Sequence, residues 1–270
     1  VIRRLCLCFA FLLAATGIAA ADPSEVSLTG VLAGFTSGGN DYGPWRWFEL
    51  DDRSHFGDDS PGFELVDRGD DDRPLATHGN LLTVDDFHRF SKRFFVYAAL
   101  GAGSGNVLPT HTAYLEGDYK LGGGLRWVVA TGVGVISNPN GTVQRYVNYG
   151  PTYYGNNYNV TVRLLPTSQA GYPTTITTLA TVQAGSQGHA KSTLTVLDGN
   201  QAPSTLIDVF APPAAGAHAV YASYLYQQWL SPRGGFKIGV QYERLSDLTD
   251  SSLIYLERGV TVGVFSEVGR

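Results

Sequence analysis

Six histidines are the side chains best suited to general acid–base work: His55, His78, His88, His111, His189 and His218. A hydrolase or acyl transferase would set one of them between a serine nucleophile and an orienting acid or amide. His88 and His111 are the pair expected near strand ends at one rim. No serine answers them. Gly103-Ser104-Gly105 and the Gly185-Ser186 step both lack the G-x-S-x-G spacing. The glycine runs Gly101–Asn106 (GAGSGN) and Gly132–Ser137 (GVGVIS) do not complete G-x-G-x-x-G, and neither opens a helix. Eleven acids between Asp41 and Asp72 suggest calcium, but the D-x-D-x-D-G loop with its distal glutamate is missing. Both cysteines, Cys6 and Cys8, fall in the N-terminal segment, which leaves the rest of the chain without thiolate chemistry. The expectation is no catalytic residue, no metal and no cofactor.

The elements around these residues explain the poverty. Arg3 and Arg4 precede an apolar run from Leu5 to Ala15, and Ala19-Ala20-Ala21 precedes Asp22. That is the layout of a secretory signal peptide over residues 1–21. The remaining 22–270 carry few charges, with 16% charged residues in the whole chain, and are rich in glycine, tyrosine and phenylalanine. A net charge of −5 offers no general attraction for nucleic acid, so no nucleic-acid partner is expected.

The alternation has a period of two. From Thr112, one face reads Thr112, Tyr114, Glu116, Asp118, Lys120, and the other Ala113, Leu115, Gly117, Tyr119, Leu121. From Leu125, one face reads Leu125, Trp127, Val129, Thr131, Val133 and Val135, opposed by Ala130, Gly132 and Gly134. Phe236, Ile238, Val240 and Tyr242 oppose Lys237, Gly239, Gln241 and Glu243. A helix would mix these faces; a strand separates them. The runs last about 10–14 residues, where soluble strands average roughly 5–6 and a tilted bilayer-crossing strand needs roughly 9–11. Gly122-Gly123-Gly124, Asn138–Gly141, Gly155-Asn156-Asn157 and Pro232–Gly235 punctuate the runs as hairpin turns.

These features predict an all-β, antiparallel, up-and-down transmembrane barrel in an outer membrane. Ten strands can be counted from the C-terminus back to residue 93. Two more are expected from residues 22–92, among Val26–Thr36, Trp45–Asp52 and Leu81–Phe90, giving about twelve. The acidic region 41–80 is expected to be a long surface loop. Glu116, Asp118, Lys120, Arg163, Lys237, Gln241 and Glu243 are the candidate lumen-lining residues. Trp127, Tyr149, Tyr153, Tyr154 and Tyr158 are the candidate interfacial girdle, rings in lipid and hydroxyls in water. Arg145, Arg244 and Arg258 fall on nominally lipid-facing positions. Such an arginine costs roughly 2–4 kcal/mol at the midplane and almost nothing near the interface, so all three are expected near strand ends.

Several stretches resemble the YaiO family of outer-membrane β-barrels. They are the hairpin Tyr153-Tyr154-Gly155-Asn156 with Tyr158 and Arg163, the segment Tyr119–Val135, and Arg258–Phe265. The resemblance implies a barrel of about this size and brings no established catalytic residue or ligand. Barrels of this kind usually end on an aromatic residue, whereas here Phe265 is followed by Ser266-Glu267-Val268-Gly269-Arg270. The expected partners are the lipid bilayer and the barrel-assembly machinery, with a small solute or saccharide in the lumen. A non-enzymatic narrow channel, or an envelope or surface-glycan-associated barrel, is therefore the expectation. The alternative is an outer-membrane enzyme acting on lipid or lipid-linked saccharide. Detergent-extracted protein should migrate faster on a denaturing gel before boiling than after; equal migration would rule out the closed barrel.

Overall fold

Long strands with one apolar face cannot satisfy their edges in hydrocarbon unless the sheet closes. It does close. The computed structural model describes residues 24–37, 40–70, 77–199, 217–247 and 252–268, and the segment 1–21, expected to be a signal peptide, lies outside them. Among the described residues 14 strands form one closed antiparallel barrel. In chain order they are β1 (Ser24–Ser37), β2 (Asn40–Arg53), β3 (Asp59–Asp70), β4 (Thr77–Arg89), β5 (Phe94–Gly105), β6 (His111–Leu121) and β7 (Trp127–Ser137). There follow β8 (Val143–Tyr154), β9 (Tyr158–Gln169), β10 (Thr175–Gly185), β11 (Ala190–Gly199), β12 (Ala217–Ser231), β13 (Gly234–Asp247) and β14 (Leu253–Val268). Each strand pairs with its sequence neighbours, and β1 closes the ring on β14 from Ser24↔Val268 to Thr36↔Leu256.

The ten strands counted from the C-terminus are all present, but the total of about twelve is corrected to 14. Residues 22–92 supply four strands, where two were expected. The acidic region 41–80 is not a single surface loop: β2, β3 and the start of β4 run through it, with residues 71–76 outside the described set. Its charge obscured its period. Trp47, Glu49, Asp51 and Arg53 share one face of β2, so a face that reads as loop-like is the lining of a polar interior. A smaller correction concerns β7. Leu125 does not start the strand; it has φ of 51° in the turn after the triple glycine, and the strand begins at Trp127.

Burial divides the two faces. On β14, Val262 is 59% exposed while Tyr255 on the opposite face is 3% exposed. The exposed set is an apolar band that includes Leu115, Val129, Val133, Ile238, Val240, Val260 and Val264. In a bilayer these side chains meet acyl chains. No helix of the described residues is long and apolar enough to cross a membrane.

The interior is filled in the half remote from the chain termini. There Tyr114, Tyr146, Leu165, Leu179, Leu197, Tyr221, Leu245 and Tyr255 form one buried apolar cluster. Val31, Ala33, Trp47, Val66, Leu81 and the loop residue Leu108 form a second. Glycine makes room for the rings. A Cβ on Gly134 would stand 2.2 Å from Cζ of Tyr146, which packs on it across the β7–β8 pair. Gly134→Ala should therefore destabilise the folded barrel by roughly 1–3 kcal/mol through overpacking. Urea unfolding from detergent or vesicles measures this, and Tyr146→Ala in the same background should recover part of the loss.

Candidate functional site

The candidate site is the barrel interior, since alternation sends every second side chain there. Its two ends differ. Toward the chain termini the wall carries Glu25, Ser27, Asp51, Arg53, Asp85, Asp118, Lys120, Lys191 and Lys237; toward the other end it is mostly apolar. Between β1–β5 and β12–β14 lies a cavity of about 340 Å³. Trp47, Tyr97 and Tyr221 supply apolar wall; Glu49, Asp51, Glu64 and Asp85 supply acid; Arg53 and Lys237 supply base. That volume matches a small-molecule pocket with a few convergent polar groups.

The two bases of the cavity wall, Arg53 and Lys237, are tied down. Arg53 Nη2 lies 2.6 Å from Asp85 Oδ1, and its Nη1 donates to Ser60 O at 3.0 Å. Lys237 Nζ donates to Ser27 Oγ at 2.8 Å and pairs with Glu25 at 3.3 Å, while Ser27 also donates to Asp51. Such fixing orients the wall groups.

A second network is embedded in the apolar half. Arg68 of β3 reaches past β2 and β1 to Glu257 of β14, Nη2 to Oε2 at 3.0 Å, both side chains almost fully buried. The guanidinium sits 4.9 Å from the rings of both Trp45 and Trp47. Gln241 Nε2 donates to the other oxygen of Glu257 at 2.8 Å, and Tyr255 donates to Glu243 Oε1 at 2.6 Å. Desolvated charges survive here because ion pair, hydrogen bond and ring face act together. The network links strands from both sides of the β1–β14 closure.

The seven lumen candidates all occupy the inward face, in three groups and not one site. Lys237, Gln241 and Glu243 belong to the β13–β14–β1 side just described. Glu116 lies across the barrel, accepting from Tyr114 at 2.5 Å and from Asn148. Asp118 is half-buried on the same face, and Lys120 Nζ lies 4.3 Å from the Phe95 ring. Arg163 has a structural task that spacing does not reveal. The β8–β9 ladder is intermittent around Pro151, and Arg163 Nη1 donates to Gly150 O at 3.0 Å and to Thr152 Oγ1 at 3.2 Å. It bridges the seam where strand pairing fails. Sequence reasoning missed Arg68, Trp45, Trp47 and Glu257 as a unit, because they come from β2, β3 and β14.

The girdle candidates also separate. Trp127 and Tyr153 are outward neighbours with ring centres 4.9 Å apart, and Tyr158 follows at 6.0 Å. Tyr149 lies on the same face further from the turn. Tyr154 is corrected: next in sequence to Tyr153, it points inward at the rim. Missed partners at the same end are Phe90 with Phe94, and Tyr226 with Phe236.

His88 and His111 do not share a rim. His88 is near the terminal end of β4, paired with Asp59 at 2.5 Å, whereas His111 opens β6 at the other end. The expected pair is thus dissolved by direction of travel. No group of three or more His, Cys, Asp or Glu placed to hold a metal occurs among the described residues.

The family model described as the YaiO membrane beta barrel domain matches residues 28–202. The chain belongs to the YaiO family. No curated protein matches it in sequence. Among solved structures, the YaiO barrel is similar to the CymD monoaromatic hydrocarbon channel, with TM-score 0.59, 9% identity, and 91% of this chain covering 88% of that one. It is also similar to the Pseudomonas putida toluene transporter TodX, with TM-score 0.55, 7% identity, and coverage of 93% and 90%. At such identity the likeness is one of fold. Together with the family it makes this chain an outer-membrane β-barrel.

The buried pair gives a test of the interior. Arg68→Ala leaves Glu257 uncompensated in the apolar half and should cost roughly 3–5 kcal/mol. Arg68→Met with Glu257→Gln should recover most of it. Unfolding midpoints of the two variants in detergent decide between them.

Proposed function

We propose that this YaiO barrel is a non-enzymatic, gated narrow channel for small solutes that join an apolar body to a positively charged or hydrogen-bond-donating head. One observation carries the reading: the interior is divided lengthwise into a charged chamber and an apolar closure. The chamber of about 340 Å³ offers aromatic walls beside fixed acids, and the side chains facing it include Glu49, Asp51, Glu64 and Asp85 against Arg53 and Lys237. That excess of acid favours cations and disfavours anions. The closure is made of side chains and the Leu108 loop, with no strand of its own, so rotamer and loop movement suffices to open it.

The lumen-lining set Glu116, Asp118, Lys120, Arg163, Lys237, Gln241 and Glu243 flanks this path. Trp127, Tyr153 and Tyr158 hold the barrel at one membrane interface, and the barrel-assembly machinery inserts it. The names of the fold relatives agree with the apolar part of the solute without carrying the argument. The observed geometry supports a channel over an enzyme: the pair once available for acid–base work is split between two rims.

Purified protein in planar bilayers should give small, cation-selective conductance steps. Asp51→Asn with Asp85→Asn, which leaves Arg53 without its carboxylate, should lower the cation-to-anion permeability ratio by at least about twofold. Insertion with no conductance at any potential would sink the channel and leave a surface or envelope barrel.

A further inference from the structure

The chamber and the buried Arg68 network share walls. Trp47 and Gln241 line the cavity. The same Trp47 ring lies 4.9 Å from the Arg68 guanidinium, and the same Gln241 amide donates to Glu257 at 2.8 Å. A cation resting in the chamber therefore touches the groups that hold Arg68 and Glu257.

Those groups form a slot of defined shape. Trp45 and Trp47 are alternate residues of β2, so they share the inward face about 6.8 Å apart. The Arg68 guanidinium stands 4.9 Å from both ring centres. From Trp45 the register row crosses Ala33 and Gly259 before it reaches Gln241. Their small size leaves the way to Glu257 clear. At the end of the slot the Glu257 carboxylate meets Arg68, Oε2 to Nη2 at 3.0 Å. Glu243 lies directly opposite Glu257 in the β13–β14 register, and both are 2% exposed. Two acids of adjacent strands thus stand by the guanidinium, and like charges opposite one another need a cation between them.

The occupant shows what the slot accepts. Two indole faces and a desolvated carboxylate suit a planar, delocalised, weakly hydrated cation. An alkylammonium is compact and strongly hydrated, and gains less from the rings. Calcium and magnesium require a shell of oxygens that two indoles do not supply. A buried ion pair also adds little stability over an apolar replacement of the same volume.

We infer that Trp45, Trp47, Gln241 and Glu257 form a binding site for a guanidinium-bearing organic cation, which Arg68 fills as a built-in stand-in for that ligand. The solute's guanidinium takes the slot, Glu243 balances the added positive charge during the exchange, and the unbranched Arg68 side chain swings away. That the exchange opens the closure rests on the channel reading above; the site itself does not.

The probes are benzylguanidinium, benzylammonium and neutral benzylurea, titrated by calorimetry into the full chain in detergent. The wild type should bind benzylguanidinium at least about fivefold tighter than benzylammonium, and benzylurea not at all. Arg68→Met removes the competitor and should bind benzylguanidinium at least about tenfold tighter than the wild type. Trp47→Leu should weaken binding about tenfold. Arg68→Met with Glu257→Gln should not bind, and Arg258→Gln, outward on β14, should bind as the wild type does. Heat-modifiable migration identifies the folded variants. If Arg68→Met does not fold, the wild-type selectivity and the double variant decide. Equal binding of the two cations or unchanged affinity in Arg68→Met would overturn the site. So would binding that survives the double variant and disappears in Asp51→Asn with Asp85→Asn, which places the cation in the chamber alone. In planar bilayers benzylguanidinium should raise the open fraction at least about twofold; no rise with binding intact overturns the exchange. The expected binding in a barrel that never conducts keeps the site and overturns the channel, and conductance with none of this binding does the reverse.

Discussion

The closed hydrogen-bond ring is what everything else in this protein rests on. In hydrocarbon an unpaired backbone amide or carbonyl costs several kcal/mol, and a sheet has two edges of them. Pairing β1 with β14 from Ser24↔Val268 onward removes both edges. It also obliges each strand to span the membrane, to alternate, and to spend half its side chains on lipid. The weak place in the ring is informative. Around Pro151, where no N–H is available, β8 and β9 pair only intermittently, and the Arg163 guanidinium takes the Gly150 carbonyl in place of a strand partner.

Closing 14 strands creates an interior volume that must be filled or wetted. This chain does both, at different depths. In the remote half, tyrosine and leucine rings and branches pack to almost complete burial, with glycines such as Gly134 conceding space. In the terminal half, bases pair with acids and hydroxyls, Arg53 with Asp85 and Lys237 with Glu25 and Ser27, and a chamber remains. Arg68 and Glu257 are the exception that joins the two regimes. Their desolvation is tolerable because Trp45, Trp47 and Gln241 complete the contacts. A network of this kind adds little net stability over an apolar substitute, yet it ties β2 and β3 to β14 across the closure.

Legibility followed the contrast between faces. From β5 onward, valine, leucine and tyrosine alternate with glycine, threonine and charge, so the strands could be counted, and in β6, β7 and β13 the two faces separated. In β2 and β3 the inward face is acid and the outward face is only partly apolar: Glu49 and Asp51 alternate with Phe48, Leu50 and Asp52. Without contrast the period vanishes, and a charged run reads as solvent-exposed loop. Tyr154 failed for a different reason. Composition places an aromatic cluster at a membrane interface, but only strand phase says that Tyr153 points to lipid and Tyr154 to the lumen.

By itself the sequence determined that the chain is a membrane-crossing barrel and which residues of β6, β7 and β13 share a face. Local rules suffice there: period, length and turn chemistry act over a few residues at a time. Tertiary structure decided the number of strands, the union of Arg68 with Glu257 across 189 positions of chain, and the separation of His88 from His111. Each of these depends on which strands become neighbours and at what height. Strand order, register and closure set that for the barrel as a whole, and no local stretch encodes it.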